Sequence, residues 1–495
     1  MTAFVTWLQH DTAGLLTLAA VSVAVLLLMI IKFKLEPFVA LIVVSLLVAL
    51  VAGLPIAQLV GTPLKSSDSI LEKGFGGILG HIAPIIGLGT VLGAIMERSG
   101  GADALTSRLL RLFGPKGAPL AMGLTGLILG IPVFFDIGIF VVAPLVYVAA
   151  KRGGRSLVLY ALPMLAGLSM THAFLPPHPG PVAAAGLLGV SLGWLILMGL
   201  ICGIPAWLVS GVWWGSFIGN RLHVDVPDEF ISGELEAHRD EPGDSDPVRP
   251  DGSGDPAGSG GSVGTATAVR TQPPSVALIG AVIAVPMLLI LSATFGSIVL
   301  APGSIAQSIV FFLGTPAIAL TVAVLLAMYL LGIRRGMTVT ELGRITGESL
   351  KPIGMILLVV GAGAFFGAVL QATGVGKALA GSMSAIGLPV IVSAYVISAA
   401  LRLAQGSATV AIVTTAGIIQ PLVAAGGFSQ AQLALVVISV SAGSIIASHV
   451  NDGGFWIVAK YFNMSVKDTL KTWTVLETIL SIVGFAMASI VWLVV

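Results

Sequence analysis

Long apolar runs recur along most of the chain and constrain its fold more than any other feature. Each run is about 20 residues long, enough for an α-helix to cross the hydrocarbon core of a membrane, which is about 30 Å thick. Hydrophobic residues make up 56% of the 495 residues and charged residues 9%, and the mean hydropathy is +1.03. Ordinary soluble domains do not have this composition. The sequence therefore predicts an all-α integral membrane protein with many spans.

Several other classes of protein are disfavoured. The net charge of +1 gives no overall field that would attract nucleic acid. Cys202 is the only cysteine, so neither a disulfide nor a cysteine-based metal site can form within one chain. No Lys or Arg precedes the apolar run from Leu15 to Ile31, so this run lacks the basic start of a signal peptide. We expect it to stay as the first spanning helix.

A polar segment divides the chain into two apolar parts. Residues 222–274 are rich in Gly, Ser and Pro and contain 11 of the 23 acidic residues, a composition typical of flexible linkers. We therefore predict a first membrane repeat at 1–221, a cytoplasmic linker at 222–274 and a second membrane repeat at 275–495. Docking of a partner and regulation remain open as further roles of the linker.

The two apolar parts resemble each other in sequence. IIGLGTVLGAIMERSGGADAL at 85–105 aligns without gaps with VVGAGAFFGAVLQATGVGKAL at 359–379, and Thr171-His172 aligns with Ser448-His449. The pattern predicts five spanning helices and one re-entrant hairpin in each part. An odd number of crossings gives the two copies opposite topology. The expected segments are 13–31, 36–54, 78–97, a bent pair at 118–150, 156–175 and 186–218, and then 277–300, 304–332, 352–371, a bent pair at 386–426, 431–450 and 470–494.

The distribution of basic residues supports this inverted arrangement. Cytoplasmic loops of membrane proteins carry an excess of Lys and Arg. With the N-terminus outside, 20 of these residues fall on the inside, whereas only Lys65, Lys73 and Lys377 fall on the outside. The sequence thus predicts that both termini lie outside and that the linker is cytoplasmic.

Polar residues and helix breakers interrupt the apolar segments at four places. The bent pairs turn at GIPVFFDIGIF and LRLAQGSATV, and the segments after them are interrupted at LPPHPGP and SHVNDGG. Non-helical backbone inside a membrane must be buried in protein or line a cavity, and proline removes a backbone donor. Re-entrant hairpins followed by discontinuous helices fit this pattern best, with two full crossings per bent pair as the alternative. We expect the four breaks to converge on one site near the middle of the membrane.

Arg402 carries the most information within these breaks. An arginine at the centre of a membrane helix costs about 2.5–3.5 kcal/mol to insert, so it should face a cavity or a partner. Its planar guanidinium can hold a carboxylate through two hydrogen bonds. We predict that Arg402 binds a substrate carboxylate. The alternatives are a structural ion pair with Asp136 and a side chain that reaches the membrane surface.

Titratable residues in the same breaks are candidates for proton coupling. Asp136 is the one acid deep within the apolar segments of the first half, where a desolvated carboxyl can take up and release a proton during transport. His172 and His449 occupy equivalent positions, and His178 lies within PPHPG. Imidazoles titrate near neutral pH and can bind hydroxyl groups. We predict that Asp136 and His172 couple transport to protons. The alternatives for Asp136 are a buried ion pair or a cap at the hairpin tip. The alternative for the histidines is simple packing.

The remaining polar residues of the breaks offer hydrogen-bond donors and acceptors to a ligand with several hydroxyl groups. Each of them can instead satisfy backbone groups that the breaks expose. No metal ligand set is predicted. The predicted substrate-binding residues are Arg402, Gln405, Gly406, Ser407, Thr409, Thr171, His172, His178, His449, Asn451 and Asp452.

Four segments carry a resemblance to a known family. GIPVFFDIGIFVVAPL, THAFLPPHPGPVAAA, LRLAQGSATVA and SHVNDGGFWIVAKYF resemble signature segments of the gluconate permease family, which includes gluconate, idonate and D-serine symporters. The resemblance implies a secondary transporter of the bacterial cytoplasmic membrane that imports gluconate or a related hydroxy-monocarboxylate together with protons. It also implies a homodimer that works by an elevator movement, with the proton gradient as its energy source and no cofactor. A carrier or antiporter of D-serine or another small carboxylate is the alternative.

An intramembrane enzyme is the rival of a different class, since His, Asp and Ser lie within apolar segments. Such an enzyme needs a metal-binding His-Glu-x-x-His run or a serine with an activating base in reach. The sequence contains no such run, and ligand binding explains the position of Ser407. We therefore predict that the protein is not an enzyme.

Overall fold

The computed structural model describes residues 2–62, 68–226, 274–351, 353–375, 378, 389–449 and 452–495. Most of the predicted linker, residues 227–273, lies outside the described residues, as does Asn451. The division of the chain into two inverted repeats stays a prediction.

In the first half, helices follow one another with short connections. They are α1 (Thr2–His10), α2 (Thr12–Ile31), α3 (Pro37–Val51), α4 (Ile56–Val60), α5 (Ile70–Arg98), α6 (Gly101–Gly130), α7 (Phe135–Gly153), α8 (Leu157–Phe174), α9 (Pro179–Leu188), α10 (Leu192–Trp207), a π-helical stretch (Leu208–Trp214) and α11 (Gly215–Gly219).

The second half continues in the same way. Its helices are α12 (Val276–Val299), α13 (Ile305–Gly314), α14 (Pro316–Ala327), a π-helical stretch (Met328–Gly332), a 3₁₀ turn (Ile333–Arg335), α15 (Val339–Leu350), α16 (Ile353–Ala372), α17 (Val390–Gln405), α18 (Ala408–Ala425), α19 (Gln430–Ile445), α20 (Gly453–Tyr461), α21 (Val466–Thr469), a π-helical stretch (Leu470–Thr474) and α22 (Val475–Trp492).

The prediction of an all-α membrane protein is confirmed. Within the described part of the chain, 10 helical stretches are long and apolar enough to cross a membrane. A helix lets an apolar run satisfy its own backbone polar groups in lipid, because every N–H then bonds within the segment. The protein is therefore a multi-pass membrane protein.

Helix α8 forms the centre of the bundle. Its residues are apolar on all sides and almost all are buried, which is typical of a core helix. It packs against α6, α7 and α10. A Cβ on Gly126 of α6 would lie 2.1 Å from the carbonyl oxygen of Met164, and one on Gly167 would lie 2.5 Å from the backbone nitrogen of Leu127. Small residues thus let the backbones of α6 and α8 touch, as is common between membrane helices.

Three expected segments differ from the observed helices. The expected helix at 304–332 is divided at Thr315, because the residue before a proline avoids the helical region and Pro316 starts a new helix. The helix expected at 78–97 begins at Ile70, where Ser69 accepts a hydrogen bond from the backbone N–H of Glu72. Helix α6 extends from the first hairpin back to Gly101, with a non-helical kink at Gly114.

Candidate functional site

The first hairpin is formed by α6 and α7, which are joined by residues 131–134. Pro132 lies in this turn, and Phe134 precedes α7 without making a side-chain hydrogen bond to its first turn. Asp136 lies in that first turn and is exposed to a cavity that the hairpin borders. The ring of Phe135 stacks on Trp473, with 5.4 Å between the ring centroids, which holds the hairpin against the start of the last helix.

The second hairpin turns within two residues. Helix α17 ends at Gln405, and Gly406 adopts the left-handed conformation with φ of 82°, which costs glycine little. Ser407 then caps α18, because its side chain accepts a hydrogen bond from the backbone N–H of Val410 at 3.4 Å. The chain thus reverses direction without a polar loop.

The discontinuous helix of the first half contributes two histidines that lie beside the first hairpin. His178 Nε2 is 2.6 Å from the carbonyl oxygen of Gly130, so the break after α8 is hydrogen-bonded to the end of α6. The rings of His172 and His178 lie 4.7 Å apart. His172 Nδ1 is buried without a hydrogen-bond partner in the described structure.

In the second half, the discontinuous helix breaks between α19 and α20. Asp452 caps α20, because its Oδ1 accepts a hydrogen bond from the N–H of Gly454 at 3.0 Å. Its Oδ2 accepts hydrogen bonds from Arg402 Nη2 and from the hydroxyl of Ser448. Trp473 Nε1 donates to Ser448 Oγ at 2.8 Å. A continuous network therefore joins the second hairpin, the second break and the last helix.

Arg402 is the centre of this network. Its side chain is only 5% exposed. Nη1 donates to the carbonyl oxygen of Gly406, and Nη2 donates to Asp452 Oδ2. Arg402 thus satisfies the end of its own helix and pairs with Asp452, not with Asp136, the ion-pair partner weighed from the sequence. A buried pair of this kind holds its geometry because breaking it leaves an uncompensated charge.

A cavity of about 350 Å³ lies where both hairpins and the second break meet. The first turns of α7, α18 and α20 border it, and helix N-termini carry partial positive charge and free N–H groups that favour anions. Its lining consists of Phe134, Phe135, Asp136, Ser169, His172, Arg402, Gly406, Ser407, Ala408, Thr409, Ile445, Asp452, Gly453, Gly454, Ile457, Trp473 and Glu477.

The cavity brings together most of the predicted site residues. Those that line it are Arg402, Gly406, Ser407, Thr409, His172, Asp452 and the predicted proton carrier Asp136. Asp136 is exposed at the first turn of α7, and its role as a proton carrier stays a prediction.

Three predicted binding residues do not line the cavity. The hydroxyl of Thr171 is fully buried and donates to the carbonyl oxygens of Gly167 and Leu168, both at 3.0 Å. His178 bonds to Gly130, and His449 Nδ1 lies 2.9 Å from the carbonyl oxygen of Ala447. Asn451 and the side chain of Gln405 lie outside the described residues.

Four residues of the site that carry polar side-chain atoms were missed by sequence reasoning: Ser169, Ser448, Trp473 and Glu477. Glu477 is 2% exposed, and its Oε1 has no hydrogen-bond partner among the described residues. The signal in the sequence was a single acid within the apolar run from 475 to 492, four residues after Trp473 and thus on the same helix face.

A second cavity, of about 270 Å³, lies on another side of the first hairpin tip. Phe134 lines both cavities. The second cavity is lined by Thr90, Gly93, Ala94, Glu97, Arg98, Pro132, Val133, Phe134, Ile137, Ile345, Glu348 and Ser349.

Comparison with known proteins identifies the family. Residues 14–244 and 260–495 match the family described as GntP family permease. The chain belongs to this family. The predicted family and the prediction that the protein is not an enzyme are therefore confirmed, and the protein is a membrane transporter.

Relatives match the GntP family chain over nearly its full length. The inner membrane permease YgbN of Escherichia coli (strain K12) is 40% identical over 98% of this chain and 100% of its own length. A gluconate permease of Pseudomonas aeruginosa is 37% identical over 96% of this chain and 97% of its own length. The crystal structure of the Alcanivorax borkumensis YdaH transporter aligns with a TM-score of 0.60 at 15% identity, covering 93% of this chain and 98% of that one. This last likeness concerns the fold alone.

Proposed function

We propose that the protein imports gluconate or a related small hydroxy-monocarboxylate by proton symport. The observation that carries the proposal is the buried guanidinium of Arg402 in a cavity bordered by the first turns of three helices. The name of the Pseudomonas aeruginosa relative supports gluconate as the substrate. The volume of about 350 Å³ lies within the range of about 300–1,000 Å³ that is usual for small-molecule sites.

The substrate carboxylate would bind to Arg402 and to the free N–H groups at the start of α18. An arginine beside a helix N-terminus offers both a full and a partial positive charge to an anion. Ser407 and Thr409, at the start of α18, would bind hydroxyl groups of the substrate, and Asp136 would accept hydrogen bonds from others. Asp452 competes with the substrate for Arg402 in the empty carrier, so binding must rearrange this pair.

Proton coupling follows from the number of charges in the cavity. One guanidinium and the carboxyls of Asp136, Asp452 and Glu477 line the cavity, and a substrate anion adds a further negative charge. An uncompensated buried charge is costly, so a proton should enter with each anion. Coupling arises if only the fully loaded or the empty site can change its facing side. Asp136 and His172 remain candidates for the proton carrier.

The wider organisation is part of the same proposal. We place the protein in the bacterial inner membrane as a homodimer of inverted repeats, with both termini outside and residues 222–274 in the cytoplasm. Transport then proceeds by an elevator movement that carries the site across the membrane. The excess of Lys and Arg in the loops assigned to the inside supports this orientation, and an accessibility scan with single cysteines in both termini and in the linker tests it.

Uptake of labelled gluconate into proteoliposomes tests the transport proposal. With the membrane potential clamped, an inwardly directed proton gradient of one pH unit should drive about tenfold accumulation at one proton per substrate. An unlabelled panel of sugar acids, hexoses and D-serine should compete only where a carboxylate is present. Uptake that is indifferent to the pH gradient would end the symport proposal, and competition by hexoses would end the carboxylate assignment.

D-serine is the second candidate, because one feature of the cavity favours an amine. Asp136 and Glu477 are carboxyls that could pair with a substrate ammonium group, and Arg402 would still hold the carboxylate. Stronger competition by D-serine than by gluconate in the same panel would select this function. Efflux of one substrate driven by uptake of another, without a pH gradient, would select antiport.

A further inference from the structure

The binding scheme for gluconate gives Glu477 no contact with the substrate, yet the environment of Glu477 is unusual. It is 2% exposed, its Oε1 has no hydrogen-bond partner among the described residues, and it lines the substrate cavity. Its carboxyl hydrogen-bonds the side chain of Ser169 on α8. A buried polar atom without a partner costs about 1–3 kcal/mol, so such a group in a binding cavity points to a missing ligand.

The charged groups around Glu477 come from several elements. Arg402 of α17 and Asp452 at the start of α20 are close enough to interact with it electrostatically, and His172 of α8 and Asp136 of α7 line the same cavity.

Elements packed directly against α22 add few other titratable groups. Helix α19 and the π-helical stretch 208–214 contain none, and α10 contains only Cys202. Tyr160 is the other titratable residue of α8, and Lys471 belongs to the π-helical stretch before α22. The only strong cation that lines the cavity in the described structure is therefore Arg402.

The pairing of Arg402 leaves Glu477 as the uncompensated acid. Arg402 is already hydrogen-bonded to Asp452. Asp136 is exposed, whereas Glu477 is almost completely buried. An ionised carboxyl that is buried and unpaired is costly, so Glu477 is the group for which a proton brings the largest gain.

Glu477 is also connected to the proposed carboxylate site. Trp473 lies one helical turn before it and lines the same cavity, and its indole N–H donates to Ser448, which in turn donates to Asp452. When a substrate anion displaces Asp452 from Arg402, the negative charge next to Glu477 increases. The two events are thus electrostatically linked, because like charges in a cavity of low polarity disfavour each other.

We propose that the Glu477 carboxyl binds the co-transported proton. A hydronium ion gives its proton to this carboxyl when the site faces the outside, so one O–H bond breaks on the hydronium as one forms on the carboxyl. The carboxyl gives the proton to a water molecule when the site faces the inside. The proposal rests on the proposed proton symport and specifies the residue that carries it out.

Proteoliposomes that contain Glu477→Gln test the proposal, because glutamine keeps the shape and cannot titrate. Two measurements are needed: accumulation of labelled gluconate driven by a pH gradient, and counterflow exchange of gluconate without a gradient. We expect Glu477→Gln to lose the roughly tenfold gradient-driven accumulation and to keep counterflow within about threefold of wild type. Asp136→Asn tests the rival carrier, and Glu348→Gln, a change on the exposed face of α15, serves as the matched control.

The outcomes separate this proposal from the proposed function. If the wild type shows no response to the pH gradient, the symport proposal fails. If the wild type responds and Glu477→Gln still accumulates gluconate, the Glu477 assignment is wrong, and loss of accumulation in Asp136→Asn alone would assign the proton to Asp136. Uptake that responds to a sodium gradient instead of a pH gradient would also overturn the proposal that Glu477 binds a co-transported proton.

If Glu477→Gln loses both gradient-driven accumulation and counterflow, a further variant tests the proposal. Glu477→Asp keeps a titratable carboxyl at a different depth, so gradient-driven uptake should persist with a shifted dependence on pH. A pH profile identical to that of the wild type would contradict the proposal.

Discussion

The ion pair between Arg402 and Asp452 permits a prediction that separates stability from binding. Both side chains are largely buried, at 5% and 13% exposure. Removing one partner of a buried pair leaves an uncompensated charge and typically costs about 3–5 kcal/mol. Arg402→Gln and Asp452→Asn should therefore each lower the free energy of unfolding by about this amount.

The double variant Arg402→Gln/Asp452→Asn should behave differently. With both charges removed, the two amides can still hydrogen-bond, so we expect stability within about 1–2 kcal/mol of wild type. Gluconate binding should nevertheless remain impaired, since loss of a charged partner costs about 2–5 kcal/mol. This corresponds to a loss of about 30-fold to several thousandfold in Kd.

Denaturant unfolding in detergent micelles measures the stability of the four proteins, and calorimetric titration with gluconate measures the Kd. The control is Arg344→Gln, which breaks an exposed i,i+4 pair with Glu348 and should cost about 0.5 kcal/mol or less. Wild-type affinity in the double variant would refute the assignment of the carboxylate to Arg402. A stable Arg402→Gln would refute the reasoning about the buried pair.

Three further changes test the packing around the site. Gly93→Ala places a Cβ 2.2 Å from the carbonyl oxygen of Pro132, so it should lower the free energy of unfolding by about 1–3 kcal/mol. It should also slow counterflow by displacing the first hairpin turn, and wild-type rates would contradict this. His178→Ala removes the 2.6 Å contact with the carbonyl oxygen of Gly130 and should cost about 1–3 kcal/mol in unfolding, and unchanged stability would show that this contact is not needed. Ser429→Ala removes a capping box on α19 and should lower the free energy of unfolding by about 1 kcal/mol without changing the gluconate Kd. Weaker gluconate binding would contradict this by showing that the cap of α19 influences the site.

The positions of the breaks could be predicted from the sequence because their causes are local. The turn around Pro132 and the turn at Gly406 each contain a residue type that favours the end of a helix. The burial of Arg402 could be predicted as well, since an arginine within an apolar run must find a cavity or a partner. The same local reasoning applied to Thr315-Pro316 would have divided the expected helix at 304–332.

The roles of individual polar residues could not be predicted, because they depend on how each helix is rotated within the bundle. Thr171 and His172 are neighbours in sequence, yet only His172 faces the cavity, while Thr171 bonds to its own helix. Asp452 was expected to bind the substrate, and the structure shows it paired with Arg402 from another helix. Glu477 gained its position from the packing of α22 against α19, α10 and α8.

Phe134 lines both cavities at the tip of the first hairpin. The shape of both cavities at this point depends on the contacts that hold the ring of Phe134 in place. Those contacts include His172 and His178, whose ring centroids lie 6.1 Å and 5.8 Å from that of Phe134. The two imidazoles therefore help to fix the position of the ring that both cavities share.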